Sequence, residues 1–283
     1  MEISIHNKSM CVTATEAGAE LQRVTAFGKE RLWQNETGGW AGHAPNLFPY
    51  CGSCDMTLDG IAYGRGFHGF ASRKAFICVS ATDTSMTFRL TDDTETRKAY
   101  PFRFTLEITY SLPEDNLLRI RWDVRNESDR PMPFACGGHE SFALPGAVDG
   151  FQIVFPQVEQ LLFHIHNAEG RMSGETDDRG SGSVLPLSSA DLAGGNTLIL
   201  KGLRSRSVIL ADKRDNRPLA ESVFPDFSNL LLWHPDGADM ICIEPWMNLP
   251  DDAGGCPEFS RKPGVRILSP HEKCCLTRHI RYF

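Results

Sequence analysis

The sequence predicts an all-β protein, folded as a large antiparallel β-sandwich. Three observations lead to this prediction: apolar and polar residues alternate over long runs, short apolar runs are bounded by Gly, Pro, Asp or Asn, and helical periodicity is almost absent. The chain of 283 residues contains no linker rich in Pro, Gly or Ser and no internal repeat. We therefore predict one domain over residues 1–283.

The clearest alternation lies in the middle of the chain. In residues 118–125 every second residue is apolar and the others are charged, and residues 102–110 alternate in a similar way. Such runs are typical of strands with one solvent-facing side. Pro113–Asn116 supplies a short turn between them, so the two runs are predicted to form a hairpin. Residues 86–90 predict a third strand on the same side.

Later apolar runs are short, which predicts inner strands of two packed sheets. These runs are residues 151–155, 208–210, 230–233, 240–243 and 265–268. A single helical turn is predicted near Ser188–Leu192, ended by the glycines at 194 and 195. The longest polar stretch, Glu169–Ser183, is predicted to be a mobile surface loop.

Charge and composition exclude several classes of partner. The net charge is -7 and the isoelectric point is near 5.7, which disfavours nucleic acid and anionic membrane. The first residues have neither a basic nor an apolar leader pattern, and no apolar run is long enough to span a bilayer. These features predict a soluble cytoplasmic protein. The sequence leaves open whether it is a monomer or a homodimer.

The nine cysteines predict reduced thiols. Their number is odd and they lack the spacing of a disulfide framework; they lie at 11, 51, 54, 78, 136, 242, 256, 274 and 275. Cys51 and Cys54 form the only C-x-x-C pair, so we expect no structural zinc. A metal site built from His43, His68, His139 and a cysteine is disfavoured, because these histidines lack the spacing of a local chelate.

One histidine stands out as a candidate functional residue. His139 follows Gly137 and Gly138 within an apolar stretch, and a glycine pair lets the backbone approach a ligand closely. A lone histidine among apolar residues is more often part of the core. His68 has the same glycine-flanked form, however, and Glu244 lies within an apolar strand, so the three together indicate a site.

Strand alternation gives Glu244 a specific environment. It places Glu244 on the same face as Cys242 and Trp246, so the carboxylate is expected to share a cavity wall with an indole. A buried glutamate also requires a histidine or arginine nearby. Trp40 and Trp246 are candidate pocket residues, although aromatic residues of a sandwich core have the same sequence pattern.

Motifs in a fixed order resemble those of the aldose 1-epimerases, and within them the LacX-like branch. They are Gly18–Leu21, Leu32-Trp33, Trp40, Ala44–Pro49, His68–Ala71, Tyr100–Phe102, Pro133-Phe134, Gly137–His139, Trp233 and Cys242–Trp246. The resemblance covers almost the whole chain. It implies a galactose mutarotase-like supersandwich, no cofactor, and interconversion of the α and β anomers of a free sugar.

The resemblance also implies site residues. His139 matches the family's acid, Glu244 its base, and His68 a second histidine that acts on the ring oxygen. Asn196 falls where the family has an aspartate that binds sugar hydroxyls. We expect the side chains of His139 and Glu244 to converge on opposite sides of one small cavity.

Two departures concern arginine. Ser53 and Ser72 stand where the family pattern has arginine, and Arg65 and Arg73 are the possible substitutes. Strand alternation would direct Arg73 away from the face of Ser72, so it would not replace the lost guanidinium.

Ring opening explains the choice of residue types. One group takes the proton of the anomeric hydroxyl while another protonates the leaving ring oxygen, and no nucleophile is needed. Two alternatives remain open. The substrate could be a phosphorylated or otherwise anionic sugar, which requires two convergent cations from among Arg65, Arg73, Arg97 and Lys98. The protein could instead bind sugar without catalysis on the same scaffold.

Overall fold

The computed structural model describes residues 1–36, 38–255 and 258–283, and it confirms the predicted all-β class. Its strands are β1 (Glu2–His6), β2 (Met10–Thr15), β3 (Leu21–Ala26), β4 (Lys29–Glu30), β5 (Ser53–Leu58), β6 (Ile61–Phe67), β7 (Ile77–Ala81), β8 (Ser85–Thr91), β9 (Phe104–Glu114), β10 (Leu117–Asn126), β11 (Met132–Phe134), β12 (Glu140–Ala143), β13 (Phe151–His166), β14 (Met172–Pro186), β15 (Thr197–Leu200), β16 (Ser207–Asp212), β17 (Pro218–Val223), β18 (Asn229–Trp233), β19 (Met240–Trp246), β20 (Arg266–Leu268) and β21 (Lys273–Tyr282).

Within the described ranges, thirteen of these strands form one sheet. Its order is β12-β19-β18-β15-β13-β16-β17-β21-β10-β9-β8-β7, with β14 paired to β13. A second sheet has the order β1-β2-β3-β4, and β5-β6 and β11-β20 form two-stranded sheets. The strand pairings are antiparallel, as in a sandwich whose sheets each have one face on the core.

The predicted central hairpin is confirmed. β9 pairs with β10 so that Trp122 lies opposite Ile108, and β8 pairs with the other edge of β9. Side chains of β9 alternate between the core and a partly exposed face, as the sequence pattern predicts. The largest apolar cluster draws its members from both ends of the chain, from Ile5 to Tyr282.

The predicted loop at 169–183 is wrong, because most of it belongs to β14. This strand is exposed along most of its length, so its sequence shows no hydrophobic periodicity from which a strand could be predicted. The long strand β13 supplies its partner. Polar side chains add cross-strand bonds: Gln160 donates to Asp178 at 2.7 Å and Ser181 donates to Gln160 at 2.8 Å.

In the described part of the chain, two short α-helices accompany the strands. α2 (Ser189–Leu192) confirms the predicted turn. α1 (Thr94–Ala99) was not predicted, because six residues are too few to show a helical period. Its start is fixed by reciprocal capping, in which the backbone N–H of Thr96 donates to the Asp93 side chain and the Thr96 hydroxyl accepts from the Asp93 backbone.

The described cysteines are reduced, and seven of the eight are at least partly buried. Cys256 lies outside the described residues. None of the helices in the part of the chain that the structure describes is long and apolar enough to cross a membrane.

Candidate active site

One cavity of about 450 Å³ collects most of the predicted site residues. Its volume falls within the usual range for small-molecule sites, roughly 300–1,000 Å³. It is lined by Trp40, Pro45, Leu47, Gly52, Phe67, His68, Ser72, Arg73, His139, His166, Gly170, Gly195, Thr197, Ile199, Leu231, Trp233, Glu244, Trp246 and Pro250. All three predicted catalytic residues, His68, His139 and Glu244, are among them.

His139 is positioned by the two glycines before it. It directly precedes β12, the strand at one end of the large sheet. A side chain at Gly137 would bring its Cβ to 2.6 Å from the indole of Trp246, and one at Gly138 would collide with the guanidinium of Arg278. Glycine is required here for close packing, and that packing places the imidazole at the cavity wall.

The register of two strands brings His139 to Glu244. In the β12–β19 pair Glu140 lies opposite Ile243, and an isolated bridge joins Gly137 to Trp246. Both pairs have the same register, which places His139 directly opposite Glu244 on one face of the sheet. Nε2 of His139 lies 3.3 Å from Oε2 of Glu244. The two groups therefore lie side by side, and the expected placement on opposite sides of the cavity is corrected.

Burial determines the protonation of this pair. It lowers the pKa of His139 to about 4 and raises the pKa of Glu244 well above its ordinary value, with Glu140 as a further cause of the rise. Glu244 is only 2% exposed. Both shifts disfavour charge, so the pair holds one proton over a wide pH range. Nδ1 of His139 is buried without a hydrogen-bond partner among the described residues, so no contact fixes the proton on that atom.

His68 has a fixed tautomer. Its backbone lies in the left-handed region with φ of 60°, and its N–H donates to the carbonyl of Gly52 at 3.0 Å. The N–H of Gly52 in turn donates to Nδ1 of His68 at 3.0 Å. Nδ1 is therefore an acceptor, and the neutral ring carries its proton on Nε2. Burial, with His139 and Arg73 nearby, lowers the pKa of His68 well below its ordinary value.

Aromatic rings enclose the histidines. The indole of Trp40 stacks on the imidazole of His139, with centroids 5.1 Å apart, and Trp233 meets both rings edge-on. The rings of His68 and His139 are 5.5 Å apart, and Trp246 lies edge-on to His68 at 5.2 Å. Trp246 is itself fixed, because its Nε1 donates to the carbonyl of Gly138 at 3.2 Å. Trp40 and Trp246 thus both line the cavity.

Arg73 lines the cavity although strand alternation predicted the opposite face. The alternation argument is wrong here because Ala71–Arg73 forms a 3-10 turn and not a strand. The guanidinium folds back and donates to the carbonyls of Phe67 and Gly69, the two residues that flank His68. It therefore lies beside the second histidine.

Arg65 and Asn196 are not brought to the cavity. Arg65 is exposed, and its Nε lies 2.7 Å from Oδ1 of Asp55, which also binds Arg171 at 2.7 Å. Asn196 is exposed and donates to the carbonyl of Asp191 at 2.6 Å. Their positions do not support the sugar contacts expected of them. Through these two ion pairs, Asp55 links β6, the strand that precedes His68, to Arg171, which directly precedes β14.

Sequence reasoning missed His166, Thr197 and the cavity-facing role of Trp233. Nδ1 of His166 donates to the carbonyl of Asn167 at 2.9 Å, and its Nε2 accepts from the backbone of Thr197 at 3.3 Å. Both nitrogens are thus engaged by the backbone. Only the position of His166 at the end of an alternating run could have indicated a site.

The metal site considered above would need His43 beside His68 and His139. The cavity is lined by His68 and His139 but not by His43. Among the residues that the structure describes, one different group has potential ligand atoms that lie within 4.8 Å of one another: His139, Cys242 and Glu244. Burial raises the pKa of the Cys242 thiol well above its ordinary value, so the thiol is protonated without a cation.

Comparisons with known proteins show which family and which solved structures the chain resembles. Residues 1–170 match the family model described as aldose 1-epimerase. The chain is 29% identical to the chromosomal LacX protein of Lactococcus lactis subsp. lactis, over 95% of each chain. It resembles a galactose mutarotase-like protein from Lactobacillus casei ATCC 334 with a TM-score of 0.91 and 29% identity, over 100% of both chains. A galactose mutarotase related enzyme from Lactobacillus acidophilus gives a TM-score of 0.89 and 28% identity, over 100% of this chain and 97% of the other.

Proposed function

The chain belongs to the aldose 1-epimerase family, and we propose that it interconverts the α and β anomers of a free aldose by opening and reclosing the pyranose ring. The observation that carries this proposal is the 3.3 Å contact between His139 and Glu244 at the wall of a sugar-sized cavity. A base and an acid placed side by side suit this reaction, because the anomeric hydroxyl and the ring oxygen are bonded to the same carbon.

In the proposed step, Glu244 takes the proton of the anomeric hydroxyl while His139 gives a proton to the ring oxygen. The bond between the anomeric carbon and the ring oxygen breaks, and its electron pair goes to that oxygen. The products are an aldehyde and a hydroxyl group. Rotation about the adjacent carbon–carbon bond presents the other face of the aldehyde, and reclosure reverses both proton transfers.

The pair holds a single proton throughout this cycle, and the residue that carries it changes. Ring opening converts a pair with its proton on His139 into one with its proton on Glu244, so the two residues hold one proton before and after the step. Burial favours the uncharged arrangement, in which His139 is neutral and Glu244 is protonated. Before ring opening, the proton must therefore pass from Glu244 to His139 across their 3.3 Å contact, and desolvation opposes this transfer. The same desolvation favours ring opening itself, because that step returns the pair to its uncharged arrangement.

His68 is proposed to orient the ring oxygen. Its Nδ1 is occupied by Gly52, so Nε2–H is the hydrogen that this ring can donate. The ring is neutral and lies close to His139. A neutral donor can bind the ring oxygen without competing with His139 for the proton.

The cavity favours a neutral sugar over an anionic one. Of the four candidate cations, only Arg73 is among the lining residues. Arg65 binds Asp55, Arg97 lies 2.8 Å from Asp92, and Lys98 lies 2.7 Å from Glu95. A phosphorylated substrate would be expected to require at least two convergent cations. Trp40, Trp233 and Trp246 offer ring faces and edges that suit the C–H surfaces of a neutral sugar.

Exchange of magnetisation between anomers, measured by NMR, tests the proposal. Neutral aldoses should exchange faster with the protein than without it, and galactose is the first to try because the similar solved structures are named for it. Hexose phosphates and hexuronates form the comparison set. A protein that only binds sugar would shift the sugar resonances without changing the exchange rate, and substitution of His139 by Asn would then make no difference to it.

A further inference from the structure

Cys242 is a buried thiol that the proposed reaction does not use. It lies two residues before Glu244 on β19, so both side chains are on the same face of the strand. Its potential ligand atom and those of His139 and Glu244 all lie within 4.8 Å of one another. Imidazole, thiolate and carboxylate are the three side-chain ligands that zinc takes in proteins.

The separations suit a tetrahedral ion after a small shift. Zinc bonds of about 2.0–2.1 Å to nitrogen and oxygen place those two ligands about 3.3–3.4 Å apart at the tetrahedral angle. Nε2 of His139 and Oε2 of Glu244 are already 3.3 Å apart. A zinc–sulfur bond of about 2.3 Å places sulfur about 3.6 Å from each of them. Sulfur therefore has to approach by at most about 1.2 Å, which rotation of one side chain can supply.

The charges also balance. A divalent cation with one thiolate, one carboxylate and one neutral imidazole is neutral overall, which a buried site requires. Binding releases two protons, one from the thiol and one from the His139–Glu244 pair. The other charges close to the pair, Glu140 and Arg278, form an ion pair of their own and leave no excess charge. His139 and Glu244 face the cavity, so a water molecule can complete the coordination.

We propose that His139, Cys242 and Glu244 bind a thiophilic divalent cation such as Zn²⁺ or Cd²⁺, and that this cation blocks the active site. The block rests on the proposed function, because the ion occupies the acid and the base together. The binding itself does not depend on that function. Mg²⁺ and Ca²⁺ do not fit, since they prefer six or more oxygen ligands and the group offers one carboxylate.

Titration of the chelator-treated 283-residue chain with CdCl₂ tests the binding directly. The cadmium–thiolate absorption band in the ultraviolet should rise to one ion per chain, and ZnCl₂ should compete it away. Cys242→Ser should abolish this stoichiometric band, and Cys242→Ala provides a second variant. Cys51→Ala is the buried control and Cys275→Ala the exposed control, since neither residue belongs to the group; both should retain the band.

Inhibition of anomer exchange provides the second readout. The Cd²⁺ concentration that halves the rate should rise by at least about tenfold in Cys242→Ser, because loss of a ligand costs at least as much as loss of a supporting contact. A band that persists in both Cys242 variants, or one that is absent from the wild type, overturns the proposal. A band without any catalysed exchange would instead sustain the cation site and reject the proposed function.

Discussion

Across the β12–β19 pair, His139 lies opposite Glu244, and its Nε2 is 3.3 Å from the carboxylate oxygen Oε2. This relationship fixes the chemistry that the cavity can perform. Two groups this close in a buried site cannot both gain or both lose a proton easily, so they act as one unit with a single mobile proton. A bifunctional acid and base is what the opening of a pyranose ring requires.

The shared proton predicts how stability depends on pH. Burial lowers the pKa of His139 from 6.5 to about 4, so its contribution to stability is present above pH 6.5 and lost as the pH falls toward 4. Burial raises the pKa of Glu244 well above 4.5, so its contribution is present below pH 4.5 and lost as the pH rises. The two slopes cancel between pH 4.5 and pH 6.5, so the pair contributes most to the free energy of unfolding in that range.

Urea unfolding of the wild type and of Glu244→Gln across that range measures the effect. The wild type loses the contribution of Glu244 as the pH rises above 4.5, and the variant has no such contribution to lose. The free energy of unfolding of the variant, relative to that of the wild type, should therefore increase with pH. His68 also has a lowered pKa and adds to the acid-side loss in both proteins, so it does not affect the comparison. Parallel curves for the two proteins would show that the carboxyl group is not perturbed.

Substitution of His68 by Asn should reduce catalysis and largely preserve the fold. Asparagine tolerates the left-handed backbone at this position better than alanine does, so the loop should keep its shape. We expect the rate of anomer exchange to fall by roughly 10²-fold, the lower end of the range for loss of one preorganised hydrogen-bond donor. Thermal unfolding by circular dichroism is the control. An unchanged exchange rate would remove His68 from the proposed mechanism.

Gly138→Ala should destabilise the protein, because the new Cβ would collide with the guanidinium of Arg278. That guanidinium is fully buried and paired with Glu140, so it cannot move into solvent. We expect a loss of roughly 1–3 kcal/mol, the usual cost of overpacking. Gly150→Ala is the matched control, since its Cβ would meet nothing within 4 Å. Denaturant unfolding of both variants measures the difference, and equal losses would contradict the packing argument.

Arg73 and Arg65 should behave differently when each is changed to Met. Arg73 binds the carbonyls on both sides of His68, so its loss should lower kcat/KM about tenfold, the size expected for one charged hydrogen bond. Arg65 binds Asp55 outside the cavity and should have little effect. Equal effects in the two variants would contradict the assignment of Arg73 to the cavity wall.

Local patterns in the sequence predicted much of the fold and part of the site. Alternation located the hairpin of β9 and β10, and it placed Glu244 on the cavity face with Trp246. The contact between His139 and Glu244 could not be derived from it. That contact depends on the register of two strands about a hundred residues apart, and strand register is set by packing and turns far from either residue.

The wrong site predictions have equally physical causes. Strand alternation predicts the wrong face for Arg73, because Ala71–Arg73 forms a 3-10 turn and does not follow the period of a strand. Asn196 lies next to the cavity residues Gly195 and Thr197, but its side chain bonds to Asp191. The strand β14 was missed because its exposed side chains carry no hydrophobic signal.

The central claim is that His139 and Glu244 open the ring of a free aldose, and anomer exchange in Glu244→Gln tests it most directly. Glutamine keeps the shape of the side chain and removes the base. We predict that the variant binds sugar with resonance shifts like those of the wild type, while the catalysed exchange rate falls by roughly 10²–10⁴-fold. Exchange at the wild-type rate in this variant would contradict the account.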